Sequence, residues 1–222
     1  MAQTDDTPRE RYRAQVRAEV MAHAWEQIAT AGASALSLNA IAKQMGMSGP
    51  ALYRYFANRD ELITELVREA YRSLADTLRA AADDGANLTG LARALRTWAL
   101  ADPQRYLLIY GTPVPGYQAP EDTTAISGEI MATLLTACTA ALPADARDTP
   151  PTPFTAHLAD HRSWAGDHPA PPAALRLALA FWTRLHGVLS LELAGHFTGM
   201  GFYPATLFEA ELTDLLAQPG HG

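Results

Sequence analysis

Between residues 9 and 30 the apolar and small positions Val16, Val20, Ala24, Trp25 and Ile28 return at steps of three and four, which puts them on one helical face. Gly32 ends that pattern. Ser37 stands where a helix N-cap is expected, with Leu38, Ile41, Ala42 and Met45 on the inner side of a short second helix. Gly46 gives the chain freedom to turn sharply. Ser48 is placed to cap a third helix, in which Pro50 sits in the first turn and residues 51–56 follow as Ala-Leu-Tyr-Arg-Tyr-Phe. Asn58 with Glu61 three residues on forms a capping-box-like start for a long fourth helix carrying Leu62, Leu66, Ala70 and Leu74 on one face.

The helical pattern continues over residues 88–101, then over 103–110 with Asp102 as cap and Pro103 as first position. Residues 111–116 hold too much Gly and Pro for regular structure. Helices are expected again over 121–141, 172–196 and 204–215, while 143–172, rich in Pro, Asp and Ala, is expected to be irregular. No segment alternates with period two. The expectation is therefore an all-α chain of about nine helices, with a three-helix module in residues 1–60 and a larger helical domain in residues 61–222.

Composition narrows the class. Of 222 residues, 48% are hydrophobic and 18% charged, as in ordinary globular proteins. The first fifteen residues are acidic and then basic with no apolar core, so they do not read as a secretion signal, and no run of eighteen apolar residues is evident. A cytoplasmic location without membrane association is expected. Cys138 has no second cysteine to pair with and reads as a small core residue. The net charge of −7 is unevenly spread: residues 1–60 carry seven basic and six acidic side chains, the remainder ten and eighteen. Attraction to phosphates depends on the local field, which decays over roughly 10 Å, so an acidic body is compatible with a nucleic-acid-binding end.

Residues 37–56, read as a short helix, a glycine turn and a second short helix, form a helix-turn-helix. Such a unit projects its second helix into a major groove about 12 Å wide while the first braces it. The Ile41-Ala42, Gly46-x-Ser48 and Leu52-Tyr53-x-Tyr55-Phe56 elements, followed by Arg59 and Leu62, resemble the amino-terminal domain of TetR-family transcription regulators over residues 9–65. The resemblance implies that Ser48, Gly49, Ala51 and Tyr53 lie near the groove or its phosphates, and that Ser37 and Lys43 approach the backbone from the second helix. It also implies that Arg59 replaces a lysine that contacts phosphate. Leu52 and Phe56, four apart, should pack inward. Arg54 is open to a guanine or a phosphate. Tyr55 reads as a packing residue.

The same resemblance implies a homodimer on double-stranded, inverted-repeat operator DNA, joined through the last two helices and responsive to a small effector, most often as a repressor. Leu175, Leu179, Trp182, Leu185, Leu189 and Leu193 make an apolar stripe, with Ala178, Gly187, Ala194 and Gly195 small enough for close helix approach. Trp182, His186 and Gly187 also resemble the Trp-x-x-x-His-Gly signature of one carboxy-terminal subtype, and Asp102, Pro103, Tyr106 and Gly111 resemble the segment that accompanies it. Candidates to line a pocket for an apolar or aromatic effector are Trp98, Tyr106, Tyr110, Met131, Leu135, Phe181, Leu185 and His186, every one of which reads more readily as core than as pocket.

Rival chemistry has little support. No nucleophile elbow, phosphate loop, zinc-protease helix or dinucleotide fingerprint is present, so neither an enzyme nor a cofactor is expected. His157, Asp160, His161, Asp167 and His168 have spacings that could in principle hold a metal, but a solvated loop accounts for them more simply. A helical dimer without DNA binding is the remaining alternative, and the helix-turn-helix speaks against it.

Overall fold

The computed structural model describes residues 7–111, 114, 116–118, 120–144 and 150–217. Among these there are ten α-helices: α1 Pro8–Ala31, α2 Leu38–Gln44, α3 Gly49–Leu52, α4 Arg59–Asp83, α5 Leu88–Ala101, α6 Pro103–Tyr110, α7 Glu121–Ala141, α8 Pro153–Asp160, α9 Pro172–Leu193 and α10 Pro204–Ala217. The expectation of about nine misses α8. This helix lies within the Pro-rich segment expected to be irregular, where Thr152 accepts from the Thr155 N–H and Pro153 occupies the first turn. Here proline starts a helix, because its missing N–H is one that helix ends leave unpaired anyway.

Local signals set the other boundaries. Thr7 and Glu10 form a reciprocal capping box on α1. Asn58 accepts from the Glu61 N–H at 2.8 Å, and the Glu61 carboxylate reaches back to the Ala57 N–H at 2.6 Å. Asp102 caps α6, with Pro103 behind it, as the sequence indicates. After α2, Gly46 adopts φ +65°, and the Met47 N–H returns to the Ala42 carbonyl at 2.8 Å, closing the helix end and turning the chain.

Two apolar cores result. One holds Val16, Val20, Ala24 and Ile28 of α1, Leu38, Ile41 and Ala42 of α2, Leu52, Phe56 and four residues of α4 as far as Val67. The other begins on α4 at Leu74 and takes in α5, α6, α7, α8, α9 and α10. Helix α4, 25 residues and so about 37 Å long, therefore belongs to both cores, and the amino-terminal core extends past residue 60. Cys138 is fully buried in the second core. Residues Thr123–Ala141 of α7 are apolar enough, at mean hydropathy 1.2, to match a membrane span by length and composition. That helix packs along α4, α5 and α9, and its Glu129 pairs with Arg72 of α4 at 2.6 Å.

Candidate nucleic-acid interface and ligand core

Helices α2 and α3 meet across the Gly46 turn. Leu52 and Phe56 are fully buried, which seats α3 on α1 and α4 and turns its other side chains outward. Gly49 faces Asn39 so closely that a β-carbon there would come 3.4 Å from the Asn39 Oδ1. On the outer surface Lys43, Ser48, Pro50, Tyr53 and Arg54 are exposed, with Gly49 and Ala51 partly so. Ser37 is half-buried: its hydroxyl accepts from the Ala40 N–H at 3.3 Å and its own N–H donates to Gln27 at 3.0 Å, which fixes the start of α2 against α1. Arg17 of α1 lies over the Phe56 ring at 4.1 Å, donates to the Tyr55 carbonyl, and pairs with Glu61 and Glu65 of α4 at 3.6 and 3.8 Å. One guanidinium thus holds α1, the end of the α3 segment and α4 in one arrangement.

The second cluster lies where α4, α5, α6 and α9 converge. Tyr106, fully buried, has its hydroxyl 3.0 Å from His186 Nδ1, 2.9 Å from Ser190 Oγ and 3.2 Å from the His186 carbonyl oxygen. Tyr110, one turn along α6, packs edge-on against His186 at 4.4 Å, Trp182 at 5.6 Å and Tyr71 at 6.0 Å. Trp98 donates its indole N–H to Ser73 at 3.0 Å. Burial holds the His186 imidazole neutral, with a pKa down at about 4, and pushes the Tyr110 hydroxyl well above its ordinary range, where Tyr71 and Tyr106 add to the effect. Beside this cluster a narrow apolar crevice, about large enough for a water molecule, is lined by Leu78, Leu91, Leu95, Ile130, Leu134, Phe181 and Trp182.

Known proteins share both halves of this arrangement. Residues 20–66 match the family described as bacterial regulatory proteins, tetR family, and residues 88–215 match the tetracyclin repressor-like carboxy-terminal domain. The chain belongs to the TetR family. HTH-type transcriptional regulators of Mycobacterium tuberculosis and Mycobacterium bovis are each 35% identical to it over 217 residues, 92% of either chain. Among solved structures, SCO4313 is 70% identical with a TM-score of 0.87, covering 95% of this chain and 100% of its own. A Rhodococcus protein of unknown function, 22% identical, has the same fold at a TM-score of 0.69, covering 93% and 96%. Like other members of its family, this chain is a helix-turn-helix regulator.

Several expected details differ in this TetR-family chain. The third helix is α-helical only from Gly49 to Leu52; residues 53–55 continue as turns, since Tyr55 and Phe56 both donate to Leu52. Ser48 holds the N-cap position with extended backbone, but its side chain makes no capping bond. Arg59 donates to the Ala33 and Ser34 carbonyls at 2.9 and 3.3 Å, so its guanidinium also ties α4 to the turn after α1. Helix α9 ends at Leu193 rather than 196, because Gly195 turns the chain at φ +78°.

In the body of the chain, Leu175, Leu185 and Leu189 of the predicted dimer stripe are buried within their own protomer; the outward face of α9 is Thr183, Arg184, Gly187 and Leu191. Of the pocket candidates only Phe181 lines the crevice. Leu135 and Leu185 are fully buried core and Met131 half-buried, while Trp98, Tyr106, Tyr110 and His186 form the adjoining aromatic cluster. The other lining residues occupy ordinary helix-core positions, and no local pattern distinguishes them. His157 and His161 stack on each other at 4.1 Å, whereas His168 bonds Thr136; among the described residues no three His, Cys, Asp or Glu side chains form a metal-holding group.

One group was not anticipated. Arg9, Arg13 and Arg17 lie four apart on one side of α1, and Arg17 touches the end of the α3 segment, so exposed Arg9 and Arg13 extend a basic row from that point. The four-residue spacing of arginines was the available signal.

Proposed function

We propose that this protein is a cytoplasmic homodimeric repressor that holds an inverted-repeat operator and releases it on binding a small apolar or aromatic effector. The observation carrying this is the α2–α3 surface: Leu52 and Phe56 are buried, while Lys43, Ser48, Tyr53 and Arg54 are exposed and Gly49 and Ala51 partly so. Gly49 and Ala51 allow close approach to a groove. Ser37, Ser48, Lys43 and Arg59 supply donors for phosphates, and Arg9 and Arg13 add charge from α1. Two copies are required because one short helix touches too few base pairs to specify a site. The exposed Thr183, Arg184, Gly187 and Leu191 of α9, with Met200, Phe202 and Tyr203 before α10, support pairing through the last two helices.

Paired substitutions test the interface. Lys43→Ala should weaken operator and random duplex alike and lower the slope of log affinity against log salt by about 1. Arg54→Ala should cost about 1–3 kcal/mol at one base position if it reads a guanine, and act like Lys43→Ala if it holds a phosphate. Unchanged affinity in both variants would remove α2 and α3 from the DNA contact.

A further inference from the structure

The ligand core contains two polar atoms that the fold leaves unsatisfied. His186 Nε2 and Tyr110 Oη are both shielded from solvent and have no hydrogen-bond partner among the described residues. Their rings lie 4.4 Å apart. An unpaired buried donor or acceptor costs about 1–3 kcal/mol, so two side by side are expensive unless something bonds them. Trp182 joins this pair to the crevice: it is one of the crevice's lining residues, and its ring lies 4.1 Å from that of His186 and 5.6 Å from that of Tyr110.

The surroundings restrict what could bond there. Arg96 of α5 is engaged by Glu192, and Arg105 of α6 by Glu69 at 2.6 Å and Asp102 at 3.1 Å, so neither guanidinium is available to neutralise an anion. His186 is neutral, and the Tyr110 hydroxyl resists ionisation. The crevice lining is entirely apolar apart from the Trp182 indole.

From this juxtaposition we propose that the effector is an uncharged, mainly apolar molecule carrying one hydroxyl or carbonyl oxygen. Its apolar body lies against Leu78, Leu95, Ile130 and Phe181 of the crevice lining. Its oxygen, admitted by a shift of Trp182, bonds His186 Nε2 and Tyr110 Oη. The crevice as it stands has room for little more than a water molecule, so the apolar body enters by parting the lining side chains and thereby selects the opened arrangement. The proposal rests on the ligand-sensing reading above and deepens it by naming the chemical class.

Calorimetry of the full-length protein with naphthalene, 2-naphthol and 2-naphthoate tests it. The expected order is 2-naphthol tightest, with naphthalene and 2-naphthoate each about tenfold weaker. Tyr110→Phe removes one bonding group, and His186→Asn removes Nε2 while retaining a polar group near Tyr106. Each should lower 2-naphthol affinity three- to tenfold and leave naphthalene affinity unchanged. Should His186→Asn fail to fold by circular dichroism, Tyr110→Phe carries the test alone. Equal binding of naphthalene and 2-naphthol, preference for the carboxylate, or variants that bind 2-naphthol like the wild type would overturn the proposal. In that last case the two atoms hold only water. DNA binding by the same preparations is scored separately, so loss of the regulator reading and loss of this one are distinguishable.

Discussion

His186 shows how much a single buried group can commit. Its folded pKa is about 4 against an ordinary 6.5, because burial disfavours the imidazolium. Between those values the unfolded chain binds a proton that the folded chain refuses, so stability is full above pH 6.5 and drains as pH falls to 4, by roughly 3 kcal/mol at most. Denaturant titrations should show the wild type losing stability relative to His186→Asn across that window; parallel curves would mean that His186 protonates freely in the fold. Cys138 is the complementary case. Its thiol is fully buried and pushed up to about 12, so iodoacetamide should modify it only after unfolding, as mass spectrometry would reveal. Arg59 separates a structural role from a DNA role: Arg59→Ala loses bonds to two backbone carbonyls and should cost about 1–3 kcal/mol in thermal or chemical melts, whereas Lys43→Ala should melt like the wild type.

At the scale of elements, α6, like α4, touches both cores. Tyr106 and Tyr110 lie in the buried aromatic cluster, Leu108 packs against the amino-terminal core, and Arg105 pairs with Glu69 of α4 while lying 5.5 Å from the Trp25 ring of α1. A ligand that shifts α6 therefore acts on α1 and α4 through Arg105, to the extent that it prefers one arrangement. Arg105→Ala should bind DNA and ligand nearly normally while shrinking the ligand's effect on DNA affinity. An undiminished effect would route the coupling elsewhere. The reading helices were legible in the sequence because caps, a glycine turn and buried Leu52 and Phe56 are local signals. Helix α8 was not, since its prolines are as common in loops as in first turns. The stripe on α9 was legible as apolar but not as to what covers it: Leu175, Leu185 and Leu189 meet their own protomer, a fact of tertiary packing that periodicity does not carry. The same limit applies to the crevice, whose Leu and Ile linings match any helical core.

For the molecule as a whole, α4 links a near-neutral amino-terminal head to an acidic body, and in the proposed dimer two heads stand about one DNA turn apart, roughly 34 Å, to enter successive major grooves. In the proposed pairing through the exposed α9 face, Leu191, 44% exposed in the protomer, is a central contact, and Leu191→Arg should shift sedimentation equilibrium toward monomer and weaken operator binding with it. A dimer unaffected by that change would pair through another surface. Because the head contributes little net charge, affinity should come from local contacts and fall steeply with salt, while selectivity should persist. The most direct measurement is binding of the purified protein to the intergenic DNA upstream of its own gene at two salt concentrations, against random duplex. The account predicts sequence-selective, salt-sensitive binding by a dimer; binding without preference over random duplex would contradict operator recognition there.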